Sequence, residues 1–131
     1  MFSEKAIEIN VSDIASMGGF PKHALISLIL PKKISNNFID KLYKGINDAA
    51  KKYKISIIGG NISNGKDIVV TVTLIGFVER KNLCLRQDAK VNDLILVTGK
   101  LGASKTGLEL LKSDKWGLSL KSYLDPKAEL N

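Results

Sequence analysis

The residues able to do chemistry are few and lie in three stretches. The first is Lys5–Pro21, KAIEINVSDIASMGGFP, with one carboxylate, Asp13, near the end of an expected helix. Asn10, Asp13 and Met17 fall three and four residues apart and so share a helix face. A carboxylate there meets the negative end of the helix dipole, unfavourable by about 0.3–1 kcal/mol. A positive partner would offset this, and helix physics leaves open whether it is a metal ion or a neighbouring lysine. The second stretch is Gly59-Gly60-Asn61-Ile62-Ser63-Asn64-Gly65. Gly, Asn and Ser accept positive φ and local hydrogen bonds, and a glycine pair at a strand end lets backbone N–H groups approach a phosphate. The same composition suits an ordinary turn into the next strand. The third, Gly99–Thr106 (GKLGASKT), lies between an expected strand and an expected helix. It compares with the phosphate-cradling G-x-x-x-x-G-K-[ST] loop. Ser104 stands where that loop needs a glycine, and its Cβ obstructs the wrap around a β-phosphate. A glycine-rich strand-to-helix turn is the simpler reading.

Other chemistries are excluded by what the chain lacks. With one histidine, His23, and one cysteine, Cys84, a Ser-His-Asp or Cys-His arrangement is not expected. An internal disulfide framework is excluded, a zinc site is not expected for a histidine without Cys or His companions, and a lone cysteine fits a reducing cytosol. Cys84 reads as a small core residue in an apolar hairpin, and His23 as a structural residue opening a strand. The net charge of +7 comes from 20 Lys and Arg against 13 Asp and Glu, mostly lysines scattered over expected helix surfaces. Such a surface attracts anionic small molecules such as phosphorylated substrates. Without an Arg-rich run or interleaved aromatics, no nucleic-acid partner is expected. No signal peptide or 18-residue apolar run is apparent, so no membrane partner is expected and the location is read as cytoplasmic.

The positioning elements follow from periodicity. Ile7, Val11, Ile14 and Ala15 form a buried helical stripe, with Gly18 and Gly19 as its C-cap and Pro21 as its stop. His23–Leu30 is nearly all apolar and reads as a central strand covered on both faces. Ser35 caps a helix running to about Lys54, with Phe38, Ile39, Leu42, Ile46, Ala49, Ala50 and Tyr53 inward and Tyr43 beside them. Ile55–Ile58 reads as a strand entering the glycine stretch. Ile68–Val78 reads as a long strand, paired as a hairpin with Asn82–Arg86. Asp88–Asp93 is polar and marks a boundary between residues 1–88 and 89–131. Beyond it come a buried strand at Leu94–Val97 and a helix at Ala103–Lys112 with Leu108 and Leu111 inward. The tail, Ser113–Asn131, reads as the start of something further. The fold class is therefore α/β, an α+β sandwich whose mixed sheet is covered by helices on one face, followed by the start of a second α/β domain.

Several of these stretches resemble thiamine-monophosphate kinase. Asn10–Pro21, NVSDIASMGGFP, is similar to its "V-N-L-S-D-I-A-A-M-G-A-x-P", and Leu28-Ile29-Leu30-Pro31 to its strand ending in Leu-Pro. Ile57–Ser63 resembles "I-I-G-G-D-T-S". Leu85–Asp93 resembles "L-x-R-x-G-A-K-x-G-D", and Leu96–Ser104 resembles "V-T-G-x-L-G-x-S". Order and spacing hold over nearly the whole chain. Aminoimidazole ribonucleotide synthetase, selenophosphate synthetase and a hydrogenase maturation protein share the helix and glycine stretch with different wording.

The resemblance implies transfer of the γ-phosphoryl group of ATP to thiamine monophosphate, giving thiamine diphosphate. It implies Mg²⁺ ions held by aspartates, and a homodimer whose N-terminal domains form a shared barrel. By position it implies Asp13 as a Mg²⁺ ligand, Gly60 and Asn61 at the nucleotide phosphates, and Arg86 and Tyr43 at the nucleotide. It implies no covalent nucleophile. Two departures bear on this. The family's glycine-stretch aspartate is Asn61 here, which keeps an oxygen ligand and loses the charge. The match also covers only the middle of the family, without the upstream "G-D-D" and downstream "D-x-S-D-G" carboxylates, so this chain alone is not expected to complete a metal cluster. The alternatives are a noncatalytic ATP-binding or dimerisation module, or another enzyme of the same superfamily.

Overall fold

The computed structural model describes residues 2–99, 101–115, 117 and 119–130. Helix α1, Phe2–Ser16, buries Ile7 and Val11 completely, with Ile14 and Ala15 half-buried, as the stripe predicts. It ends in a Schellman cap: Gly18 has φ of +76°, its N–H donates to Ala15 O (2.9 Å), and the Gly19 N–H donates to Ile14 O (3.0 Å). The glycine pair therefore stops the helix, not Pro21. Pro21 lies inside strand β1, Phe20–Leu30, three residues earlier than the expected start at His23. It sits where the register with the neighbouring strand breaks, between Pro21 and His23. A bulge is where a residue without an N–H costs a strand least.

Helix α2, Asn36–Lys52, is capped by the Ser35 Oγ, which accepts from the Phe38 N–H at 3.2 Å. Leu42, Ile46, Ala49 and Ala50 are buried, with Phe38, Ile39, Tyr43 and Tyr53 packed around them. The sheet has three strands in the order β2-β1-β3, with β2 at Ser56–Asn64 and β3 at Val69–Phe77. β1 runs parallel to β2 and antiparallel to β3, so the sheet is mixed, as expected. Both helices lie on one face, over Ala24, Ile26, Leu28 and Leu30 of β1 and Val70, Val72 and Leu74 of β3.

The expectation that β1 is covered on both faces is not met. Burial alternates along it, and Leu25, Ser27 and Ile29 are exposed. The register sets them beside Thr73, Thr71 and Val69 of β3, a face that continues through Ile75 and Phe77. The near-continuous apolar run thus marks a strand with helices on one side and an uncovered apolar surface on the other.

The glycine stretch is not a loop. It forms most of β2, where a bulge at Ile58 lets Ala24 pair with Ile57 and Leu25 with Gly59. Asn82–Arg86 does not form a hairpin with β3, whose partner is β1. It runs between two 3₁₀ turns, and its Cys84 N–H donates to Met17 O at 3.1 Å. Cys84 is exposed rather than a core residue. Leu94–Val97 is not a strand, and Leu94, Ile95 and Leu96 are about nine-tenths exposed. An extended run becomes a strand only beside a partner ladder, and none of the described residues supplies one there. Helix α3, Ala103–Lys112, has the expected span, but Gly107 is the buried residue with Leu108 and Leu110 half-buried, and Leu111 is exposed. Helix α4, Ser119–Leu124, packs on α3. Lys100 of the third stretch and Trp116 and Asn131 of the tail lie outside the described residues.

The tail then returns to the core. Ala128 and Leu130 pack against the main cluster, and the Ala128 N–H donates to Glu8 Oε2 at 2.7 Å. Glu8, only 2% exposed, also accepts from Lys52 Nζ (2.9 Å) and from the Tyr53 hydroxyl.

Candidate functional site

The Schellman turn closes α1 just after the turn that carries Asp13, so the Asp13 carboxylate is held at a helix end and left exposed. Ser16 Oγ donates to Asp13 O at 2.7 Å and steadies that last turn. Asn10, expected on the same face, turns its Nδ2 to Ala6 O (2.8 Å). The segment crossing the helix end brings Cys84, Leu85 and Arg86 opposite Asp13, Ser16 and Met17, around a cleft of about 700 Å³. Among the described residues no ion pair joins Asp13 to Arg86. The two opposite charges line one cavity without cancelling, a disposition suited to an anion with its counter-cation. The distant Asp13 and Arg86 are therefore brought together. Met17 shares the cleft with Asp13 as their spacing predicts, whereas Ser16, Cys84 and Leu85 were not anticipated there, the expected hairpin having led Cys84 elsewhere.

Tyr43, Gly60 and Asn61 form a second cluster. Tyr43 of α2 overhangs edge strand β2 and shares a groove of about 580 Å³ with Ile26 and the backbone from Ile57 to Ile62. Gly60 pairs with Ile26, and a Cβ at Gly60 would lie 1.8 Å from Ile26 O. Asn61 pairs with Ser27, whose side is the open face of the sheet, and lines the same groove as Tyr43 at the β2 edge. From Phe20, where α1 hands over to β1, to Ser27 is about 23 Å of extended strand. Asp13 and Asn61 accordingly do not share a cleft.

The third stretch builds no phosphate cradle among the described residues. Gly99 and Gly102 take positive φ (+73° and +80°) as a turn requires, and Lys105 Nζ is paired with Glu109 at 2.9 Å on the surface of α3. His23 is half-buried and meets the Phe77 ring edge-on at 6.5 Å, a packing role.

Among the described residues no three His, Cys, Asp or Glu side chains group closely enough to hold a metal by themselves. Asp13 fits as a single carboxylate ligand of a Mg²⁺ that takes its other oxygens from phosphate and water, the usual arrangement for that ion.

Comparison with known proteins bears on the fold and the family. The model of the family described as "AIR synthase related protein, N-terminal domain" matches residues 1–78. The thiamine-monophosphate kinase of Bacillus subtilis (strain 168) is 48% identical over 108 residues, 82% of this chain and 33% of the relative. That of Aquifex aeolicus (strain VF5) is 43% identical over 111 residues, 85% of this chain and 36% of the relative. This chain thus spans about a third of the length of these curated relatives. Among solved structures, "AaThiL complexed with AMPPCP and TMP" superimposes with a TM-score of 0.88 at 39% identity, covering 96% of this chain and 42% of that one. A hydrogenase maturation protein HypE, 17% identical with a TM-score of 0.78, shares the fold over 87% of this chain and 37% of its own. The fold, the family match and these relatives agree, and the chain belongs to the AIR synthase related protein family through that family's N-terminal domain.

Proposed function

We propose that this chain forms part of a thiamine-monophosphate kinase, which moves the γ-phosphoryl group of ATP onto thiamine monophosphate. The observation that carries the reading is the convergence of Asp13 and Arg86 on one cleft beside the closed end of α1. The similarity to a kinase chain solved with AMPPCP, an ATP analogue, and TMP supports it. Phosphoryl transfer needs positioning and charge neutralisation rather than a covalent nucleophile. In this reading Asp13 holds one Mg²⁺, which would neutralise phosphate charge when bound. Arg86 binds a phosphate oxygen across the cleft. Tyr43, Gly60 and the backbone of Asn61 contact the nucleotide along the β2 edge, and the Asn61 side chain offers a neutral oxygen to a separate cation. The boundary between the family's N-terminal domain and the following unit falls near residue 88.

We further propose a homodimer formed through the uncovered sheet face, where Leu25, Ile29, Val69, Ile75 and Phe77 present an apolar surface. An exposed patch of this kind marks an interaction site. Among the described residues no helix is long and apolar enough to cross a membrane, and we place the protein in the cytoplasm. The same surface favours a second reading, a noncatalytic nucleotide-binding or dimerisation module, because one carboxylate in the Asp13 cleft is few for a kinase.

Calorimetric titration of Mg-ATP into the 131-residue chain and into Asp13→Asn separates the readings. Weak binding that falls about tenfold or more in the variant is expected, the worth of one charge-assisted contact. Equal binding by both proteins would remove Asp13 from the site. No binding to either at millimolar nucleotide would leave the dimerisation module.

A further inference from the structure

Glu8 carries no part of the proposed phosphoryl chemistry, yet it is the most completely partnered carboxylate described. It is a buried acid on the inner side of α1 that collects donors from three places. Lys52 Nζ reaches it from the end of α2, the Tyr53 hydroxyl from the residue after, and the Ala128 N–H from the tail. Lys127 Nζ stands 4.0 Å away and is itself paired with Asp125 at 2.7 Å. One turn earlier on α1, Lys5 Nζ donates to Tyr123 O at 2.6 Å and lies 3.6 Å above the Tyr123 ring. Lys5 and Glu8 are three apart and share a face, so the two contacts together lay the tail along α1.

The tail borders a second cleft of about 600 Å³. Lys127, Glu129 and Leu130 form one wall, with Ser12, Ser16 and the Gly18–Gly19 turn opposite. Ser16 also lines the cleft of Asp13 and Arg86, so the two spaces adjoin. Apart from Ala128 and Leu130, the tail has little apolar contact with the core. It is held chiefly by polar groups gathered at one buried charge, and a segment held this way can open below the global unfolding threshold.

We infer that Glu8 is a latch: its carboxylate pins residues 125–130 as a strap across α1 and α2, and its release opens the cleft over the end of α1 while the sheet stays folded. The strap is the movable wall, and Glu8 with the Lys52–Tyr53 pair is its catch. Removing the charge should free the strap because three donors then compete for one neutral oxygen in a buried place.

Amide hydrogen exchange on the full chain tests this, with Glu8→Gln and, from the strap side, Ala128→Pro, which deletes the N–H donor without touching either helix. In Glu8→Gln exchange at the Ala128 amide should speed up about tenfold or more, and in both variants a glutamate-specific protease should cut after Glu129 faster by a similar factor, while β1 amides keep their protection. The latch is refuted if cleavage after Glu129 is unchanged in Ala128→Pro, or if β1 amides lose protection by the same factor as the strap opens. The second result would make the tail an inseparable part of the core. If Glu8→Gln does not fold, the Ala128→Pro comparison alone decides.

Discussion

Gly60→Ala distinguishes a glycine kept for a ligand from one kept for the sheet. The added Cβ would lie 1.8 Å from Ile26 O, 2.7 Å from Ile26 C and 3.0 Å from Ile26 N. All three atoms belong to the backbone of the central strand, so no side chain can swing away. Relief requires β2 to move off β1 by more than 1 Å, about a quarter of the normal strand spacing. Such overpacking costs about 1–3 kcal/mol, and weakening two neighbouring ladder bonds adds about 1 kcal/mol each, so the sum is about 3 kcal/mol or more. For a chain of this size that lowers Tm by about 10–15 °C. Thermal unfolding followed by circular dichroism measures it. Gly102→Ala serves as the comparison, because nothing lies within 4 Å of its Cβ position and only its φ of +80° penalises a side chain. That change should cost about 1–2 kcal/mol. If Gly60→Ala melts within 2 °C of the unmodified protein, the packing argument is wrong. A simultaneous loss of nucleotide binding would then assign the glycine to the ligand.

Three more outcomes are expected. Burial alone would raise the Glu8 pKa, but hydrogen bonds from Tyr53, Lys52 and the Ala128 N–H, with the Lys52 charge, outweigh it and hold the group below the ordinary glutamate value. Its stabilisation is then present above that value and lost as pH falls through the lower folded value, so the protection of the Ala128 amide relative to its intrinsic exchange rate should fall in acid, and Glu8→Gln should remove that acid limb. Among the charged groups facing Glu8, Lys52 and Lys127 stay cationic throughout this range and Asp125 is the other acid to control for, through Asp125→Asn. Ile46→Ala, at a fully buried α2 position, should cost about 2–5 kcal/mol in denaturant unfolding without changing exposed-site ligand binding. Phe77→Lys on the open face should leave the monomer folded and shift its mass by light scattering from dimer to monomer; an unchanged dimer would move the interface elsewhere.

The first two helices and their faces were legible because helix periodicity, a serine cap and a glycine pair are local signals, whereas α3 turns Gly107 rather than Leu111 inward. Ile7, Val11, Leu42, Ile46 and the Ser35 cap stand where spacing alone sets them. The strands were less legible because their state depends on partners. Gly59–Asn64 has the composition of a loop and becomes a strand because β1 lies close enough to pair with it, a proximity that its glycines permit. Leu94–Val97 has the composition of a buried strand and is exposed because no described strand runs beside it. The meeting of Asp13 with Arg86 was implied by family resemblance but not by spacing, since residues 73 positions apart carry no local record of their contact. The Glu8 network was invisible for the same reason: its partners Lys52, Tyr53 and Ala128 lie 44 or more positions away.

The sheet register ties two open questions into one. Asn61 pairs with Ser27, so it belongs to the same uncovered face as Leu25 and Ile29. Asp13 belongs to the helical layer on the other side, in a different cleft. A phosphoryl-transfer centre needs its neutralising charges converged on one phosphate chain. One copy of the described residues supplies such a convergence at Asp13 and Arg86 but not between that cleft and Asn61. If a second copy covers the open face, Asn61 becomes a residue at the rim of the interface. An aspartate there would place a charge beside buried apolar surface, costly unless a cation accompanies it. The neutral side chain at position 61 is thus compatible with association in the absence of metal. Its functional meaning follows from what covers that face more than from the helix carrying Asp13.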